Sequence, residues 1–360
     1  MAAEGLRRLD EHGLVKGERI GVDASTMEAN AALCTIVRRA EGETYRDMLR
    51  RMAVESGIET PTTEDLIRLD RRRKGKRLSN AEWQTLVLPF HPASPAGTFG
   101  KPRPTDPEAR IAKLKDGRTH LAYKPEHAVD LDTGAVIAAE VHEADQGDTA
   151  TLPGTLASAT EHLAAVAAAP TPDAPAEMIA DKGYHSRAGL KELADGPWKS
   201  RIAEPRRDGF LRWHGDDAAR RAVHNNRTRL LSEVARQAFK LRAELVERSF
   251  ALILGRGGMR RTWLRGRENG HKRYLVHVAG YNLGGVTEGS IGRQGRWNGH
   301  GGLIMRLLTG AGTPREFLAR VSLWLVAVPN PDDGLTLILL VTAGHQVAAI
   351  VLSFQPHPLD

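Results

Sequence analysis

The chain has 360 residues, of which 41% are apolar and 26% charged, enough to bury one large core or two ordinary ones. Its formal charge is +7, but residues 199–273 alone hold 20 Lys/Arg against 8 Asp/Glu, so the basic excess is concentrated in one region and the remainder is acidic. A single cysteine, Cys34, excludes an intramolecular disulfide and any cysteine-cluster zinc site, which suits a reducing cytosol, and the opening "MAAEGLRRLDEHG" lacks the apolar core of a signal peptide.

In chain order, "RIGVD" at 19–23 alternates and closes on an acid, the pattern of a short core strand with Asp23 at its carboxyl end. A mixed, mostly helical stretch follows, then the basic run "RRRKGKR" at 71–77, read either as a solvated loop or as a phosphate contact. The proline-rich "PFHPASPAGTFGKPRPTDPE" from residue 89 predicts a linker or long loop. "THLAYKPEHAVDLDTGAVIAAEVHEA" predicts two antiparallel strands joined at Asp132–Gly134, and "TLPGTLASATEHLAAVAAA" an alanine-rich helix. "AEMIADKGY" predicts a strand closing on Asp181, "SRAGLKELADG" a helix and "KSRIAEPRR" a strand. One long amphipathic helix is expected from about 226 to 254, broken by "GRGG". The apolar run 334–353 is long enough to cross a membrane, but His345 and Gln346 near its middle and the lack of anchoring flanks favour a strand hairpin or a buried helix. The order predicts an α/β fold, a mixed sheet covered by helices, with no internal repeat.

Side chains at the carboxyl ends of neighbouring strands in such a sheet converge on a crevice, which places Asp23 and Asp181 together. Either alone reads as a turn or helix cap. A third acid is sought on the long helix, where a 3.6-residue period groups Glu247 with Ala243, Phe250 and Leu254 on an apolar stripe; an unpaired carboxylate there should bind a cation. Glu244, beside Lys240 and Arg248, reads instead as a solvated ion pair. Three carboxylates without His or Cys suit two Mg²⁺ or Mn²⁺ ions, and with a basic surface they suit phosphodiester chemistry on DNA. No GxxxxGK[ST] loop, GxSxG elbow or HExxH pair is present, which weakens nucleotide hydrolysis, serine hydrolase and zinc protease readings. His185, near Asp181, reads as a surface or capping residue before it reads as a phosphate contact.

"GVDASTMEANAAL", "THLAYKPEHAVDLDTGAVIAAEVHEADQGDT", "ADKGYHS" and "ELVERSFALILGRGGMRRTWLRGRENGHKRYLVHVAGYNLG", in that order across residues 15–284, together resemble the DDE transposases of bacterial insertion sequences. The resemblance implies an RNase H-like fold in which Asp23, Asp181 and Glu247 hold two Mg²⁺ ions, cleave DNA at the transposon ends and join the freed 3′ hydroxyl to target DNA. It also implies action as a homodimer on DNA in the cytoplasm, at the nucleoid, with no membrane. Lys182, Arg248, Arg256, Arg260 and Arg261 are the expected DNA contacts.

Three departures qualify it. The Tyr, Arg and Lys that many relatives carry around the catalytic Glu are replaced here by Lys240, Ala243 and Leu254. Residues 1–18 read as the remnant of an N-terminal helical DNA-binding domain, with 30–110 a helical, basic and Pro-rich insertion inside a 19–284 catalytic domain. The glycine-rich "GVTEGSIGRQGRWNGHG" opens an atypical, irregular extension over 285–360. These features fit a truncated or inactive copy; a metal-dependent nuclease of the same fold and a non-catalytic DNA-binding protein are the alternatives.

Overall fold

The computed structural model describes residues 2–31, 36–72, 78–85, 106–113, 119–206, 213, 215–288, 322–329, 335–343 and 346–354. Cys34, most of the basic run at 71–77, most of the proline-rich stretch and the glycine-rich segment after 288 lie outside them. The chain divides into two units, residues 1–305 and 306–360.

The first unit opens with α1 (Ala2–Glu11), whose Leu6 and Leu9 are buried in the same core as the sheet, so this segment packs as part of the body. Strand β1 (Arg19–Ala24) is followed by short strands β2 (Met27–Glu28) and β3 (Ile36–Arg38) and by helices α2 (Tyr45–Glu55) and α3 (Thr63–Arg72). Next come β4 (Trp83–Thr85), β5 (Arg110–Lys113), β6 (Thr119–Asp130), β7 (Val136–Glu143), α4 (Asp148–Ala164) and β8 (Ala176–Ala180). A single 3₁₀ turn, Lys182–Tyr184, leads to α5 (Arg187–Ala194), β9 (Trp198–Ile202), α6 (Asp217–Leu230), α7 (Glu233–Phe250) and α8 (Arg267–Glu288). Within the span 30–110 read as an insertion, β3 and β4 pair and α2 and α3 lie between them in sequence.

The central sheet is mixed. β6 pairs antiparallel with β1 on one edge and with β7 on the other, while β1, β8 and β9 run parallel to one another. β1 therefore lies in the middle, flanked on both sides, and its Ile20 and Val22 are completely buried. The β6–β7 turn falls at the expected "DLDTG", where Gly134 adopts a φ of 84° that suits glycine. Asp130 ends β6 as a structural acid, accepting backbone N–H groups from Lys16, Gly17 and Asp132. Pro125 sits inside β6, opposite the step between β1 and β2, and its carbonyl accepts from Ser25 N.

The expected single helix over 226–254 is two helices. Ser232 caps α7 by accepting from Ala235 N, and Arg201 of β9 donates to both Ser232 Oγ and the Arg229 carbonyl, holding the break in place. After Phe250 the helix widens into a π-turn, Ala251–Arg256. α7 lies against β1 at Gly21, where an added Cβ would stand 2.7 Å from Leu131 and 3.2 Å from both Arg242 and Val246; only glycine permits that approach.

The second unit holds β10 (Ser322–Pro329), β11 (Leu335–Ala343) and β12 (Gln346–Phe354) in an antiparallel meander. Within the apolar run 334–353 the described residues form the antiparallel pair β11–β12, in agreement with the strand reading of that run. Among the described residues no helix is long and apolar enough to cross a membrane.

Candidate active site

Asp23 and Asp181 come together through strand register. β1 and β8 are adjacent and parallel with Gly21 opposite Ile179, so both acids stand two residues beyond a paired position, at the same end of the sheet. Asp23 Oδ1 accepts from Ala24 N at 2.8 Å, and Oδ2 lies 3.0 Å from Arg242 Nη2. Arg242 is itself buried on α7 and donates Nε to the Val22 carbonyl. Burial pushes the Asp23 carboxyl above its ordinary pKa; Arg242 and the Ala24 N–H oppose this, and the charges of Asp181 and Asp148 add to it. Asp181 caps the 3₁₀ turn by accepting from Gly183 N at 2.8 Å and, among the described residues, has no cationic partner.

Asp148, the first residue of α4, is a further carboxylate at this end, and the sequence reading missed it. Its Oδ1 is held by Lys124 Nζ at 2.6 Å, and a Cβ on Gly183 would collide with its Oδ2 while standing 3.1 Å from Asp181 Oδ1. Gly183 is thus the spacer that lets the two carboxylates approach. The available signal was "GDT" after the β7 pattern, which reads as a helix start and nothing more.

Behind these acids lies a buried polar network. Glu126 of β6 is completely buried and accepts hydroxyl bonds from Tyr184 and Thr151 at 2.8 Å each and a short one from Thr155. Lys124 and His142 stand 3.8 and 3.7 Å from it. Burial pushes the Glu126 carboxyl up, but the bonds from His142, Thr155, Tyr184 and Thr151 outweigh it and hold the pKa below its ordinary value. Because Tyr184 ends the turn that Asp181 begins, the network fixes the backbone that carries Asp181. On the same β6, His127 pairs in register with Asp23, bonds Ser249 Oγ and Tyr274 Oη, and stacks on Phe250 at 4.0 Å. Burial lowers its pKa to about 3, so it is neutral.

α7 does not place Glu247 on the buried face that its spacing predicts. The stripe of α7 that meets the sheet is Ala238, Arg242, Leu245, Val246, Ser249 and Phe250, whereas Glu247 and Ala243 are exposed. The apolar-face argument fails because the helix is rotated so that a buried arginine, not a carboxylate, reaches Asp23. Glu244 behaves as expected and forms an i,i+4 ion pair with Arg248, so Arg248 is already engaged. Lys182, Arg256, Arg260 and Arg261 are exposed; Arg261 stands 3.8 Å from Glu28. His185 follows the 3₁₀ turn as its C-cap residue, its backbone N–H bonding the Lys182 carbonyl.

Among the described residues no three His, Cys, Asp or Glu side chains converge tightly enough to form a metal cage. The donor chemistry nevertheless fits Mg²⁺, which commonly takes one or two carboxylates and completes its shell with water and substrate phosphate. Asp23 and Asp181 are such a pair, standing at the same end of adjacent parallel strands.

A family model described as the transposase DDE domain matches residues 83–283, more than half of the chain, and the chain belongs to that family. The match runs from β4 into α8, including Asp181 and Glu247, and begins after Asp23, which is placed by the pairing of its strand β1 with β6 and β8. No curated protein and no solved structure matches the chain significantly. The mixed sheet flanked by helices agrees with the RNase H-like fold of a DDE domain, and the function is of the transposase type.

Proposed function

We propose that the protein cleaves DNA at insertion-sequence ends and transfers the freed 3′ end into target DNA, using Mg²⁺ or Mn²⁺. The observation that carries this reading is the side-by-side placement of Asp23 and Asp181 at the carboxyl ends of adjacent parallel strands, inside a DDE-family chain. Asp23 and Asp181 would hold the ions, two by family analogy, with Glu247 offered from the exposed flank of α7. Bound there, the metal supplies charge neutralisation at the phosphate and a more acidic attacking hydroxyl.

The chain's own side chains prepare the site. Arg242 balances the Asp23 charge that a bound cation would share, Lys124 holds Asp148 beside Gly183, and the Glu126 network fixes the turn that carries Asp181. Lys182, Arg256, Arg260 and Arg261 offer exposed positive charge to the DNA backbone. Action as a homodimer and a cytoplasmic, nucleoid-associated location belong to the same proposal. The non-catalytic alternative draws on Arg242, which already neutralises Asp23.

Replacing Glu247 by Gln tests the third ligand, with Glu244→Gln as its exposed neighbour control. Loss of metal-dependent nicking in the first and its retention in the second is the expected result. Equal nicking in Glu247→Gln and wild type removes Glu247 from the site.

A further inference from the structure

Trp263 is 65% exposed, and it is the one aromatic ring among the large apolar side chains that the described residues leave open to solvent. Its position is not that of a loose loop tip. Glu28 N donates to the Arg260 carbonyl and Thr262 N to the Glu28 carbonyl, both at 2.8 Å, which adds this segment to the sheet beside β2. Asn30 Nδ2 donates to the Trp263 carbonyl, Gly266 N to Asp106 Oδ2 and Arg267 N to Glu108 Oε2. Met259 and Thr262, just before it in the chain, are completely buried. The backbone is fastened at five points, and the indole is still held out in water.

Its surroundings are cationic. The Arg273 guanidinium lies over the indole, 4.3 Å from the ring centroid. Arg256, Arg260 and Arg265 are exposed and have no acidic partner among the described residues, and Arg261 is 60% exposed. β2 continues from β1 only a few residues beyond Asp23, so the segment that carries Trp263 lies at the same end of the sheet as the carboxylates. A rigidly presented flat ring backed by a guanidinium, in a segment that also carries the exposed Arg256, Arg260 and Arg265, combines the two elements that hold single-stranded nucleic acid: a stacking face for a base and charge for its phosphates. A protein partner of stable kind would call for a broader apolar patch than Trp263 and the partly exposed Leu264.

We propose that Trp263, backed by Arg273, is a stacking site for an unpaired nucleobase, engaging the single-stranded or frayed end of a DNA substrate at the end of the sheet that carries Asp23 and Asp181. The inference rests on the DNA-acting reading above. It requires no metal and no chemistry, so it is tested by binding alone, on the full chain without divalent ions.

Fluorescence anisotropy is read for a labelled hairpin duplex with a flush end and for the same duplex with a short single-stranded 3′ overhang. Wild type is expected to hold the overhang about tenfold more tightly, and Trp263→Ala to reduce that ratio to about one with flush-duplex affinity unchanged. Trp263→Phe, which keeps a ring, should retain most of the preference. An overhang preference that survives in Trp263→Ala, or is absent from wild type, overturns the proposal while leaving the DNA-acting reading intact. Loss of self-association in Trp263→Ala with no change in the binding ratio assigns the ring to a contact between copies and also overturns it. Failure of wild type to bind either DNA in low salt defeats the DNA-acting reading itself.

Discussion

Tyr184→Phe removes one oxygen from the centre of the buried network and nothing else. Tyr184 is 2% exposed, and its Oη donates to Glu126 Oε1 at 2.8 Å. A hydrogen bond to a buried charged group contributes about 1.5–3 kcal/mol, and Glu126 keeps its bonds from Thr151 and Thr155, so a loss of about 2 kcal/mol is expected. In thermal unfolding that corresponds to roughly 4–8 °C for a unit of this size. Glu126 has a depressed pKa, so its contribution is complete above the unfolded value and is lost as pH falls through the lower folded value. The difference between wild type and Tyr184→Phe should therefore be flat from about pH 6 to 8 and shrink below about pH 4. Because the same turn carries Asp181, the Mg²⁺ concentration for half-maximal nicking should rise severalfold in the variant. Urea unfolding and a metal titration read the two effects; a stability change under about 0.5 kcal/mol with an unmoved metal midpoint would refute the network's role.

Arg242→Gln should cost about 2–3 kcal/mol of metal-free stability by leaving Asp23 half-buried without its cation, and added Mg²⁺ should recover more stability in the variant than in wild type; equal gains from Mg²⁺ would contradict the exchange of one cation for another. Gly183→Val should abolish metal-dependent nicking, since its side chain would fill the gap between Asp148 and Asp181, while circular dichroism stays native; retained nicking would show that the gap is not used. His127 has a folded pKa of about 3, below its unfolded value, so unfolding takes up a proton and stability should fall by about 1.4 kcal/mol per pH unit as pH drops from about 6 toward 3. His127→Gln should reduce that slope measurably in urea titrations between pH 7 and 5, and an unchanged slope would mean that His127 titrates normally.

The strands were legible in the sequence because their alternation and closing acids are local signals. "RIGVD" and "AEMIAD" became neighbouring strands with their acids level, and the "DLDTG" turn fell in place. What failed depended on contacts across the fold. The break at Ser232 is held by Arg201, some 30 residues earlier, and helical periodicity alone continued through it. Glu247 was placed on an apolar stripe because Phe250 and Leu254 share its spacing, but Gly21 lets α7 settle with Arg242 and Val246 inward, and that rotation is a property of the packing. Asp148, Lys124 and Glu126 gave no distinct signal, since charged residues at a helix start and on a strand read as surface until both faces of that strand are seen to be covered.

The most direct test of the Asp23–Asp181 centre is nicking of supercoiled plasmid by the purified full chain with Mg²⁺ or Mn²⁺, against Asp181→Asn prepared identically. The account predicts metal-dependent nicking by wild type and its loss, by at least about a hundredfold, in a folded Asp181→Asn protein. Nicking at the same rate in both proteins, or none by wild type with either metal, would contradict it.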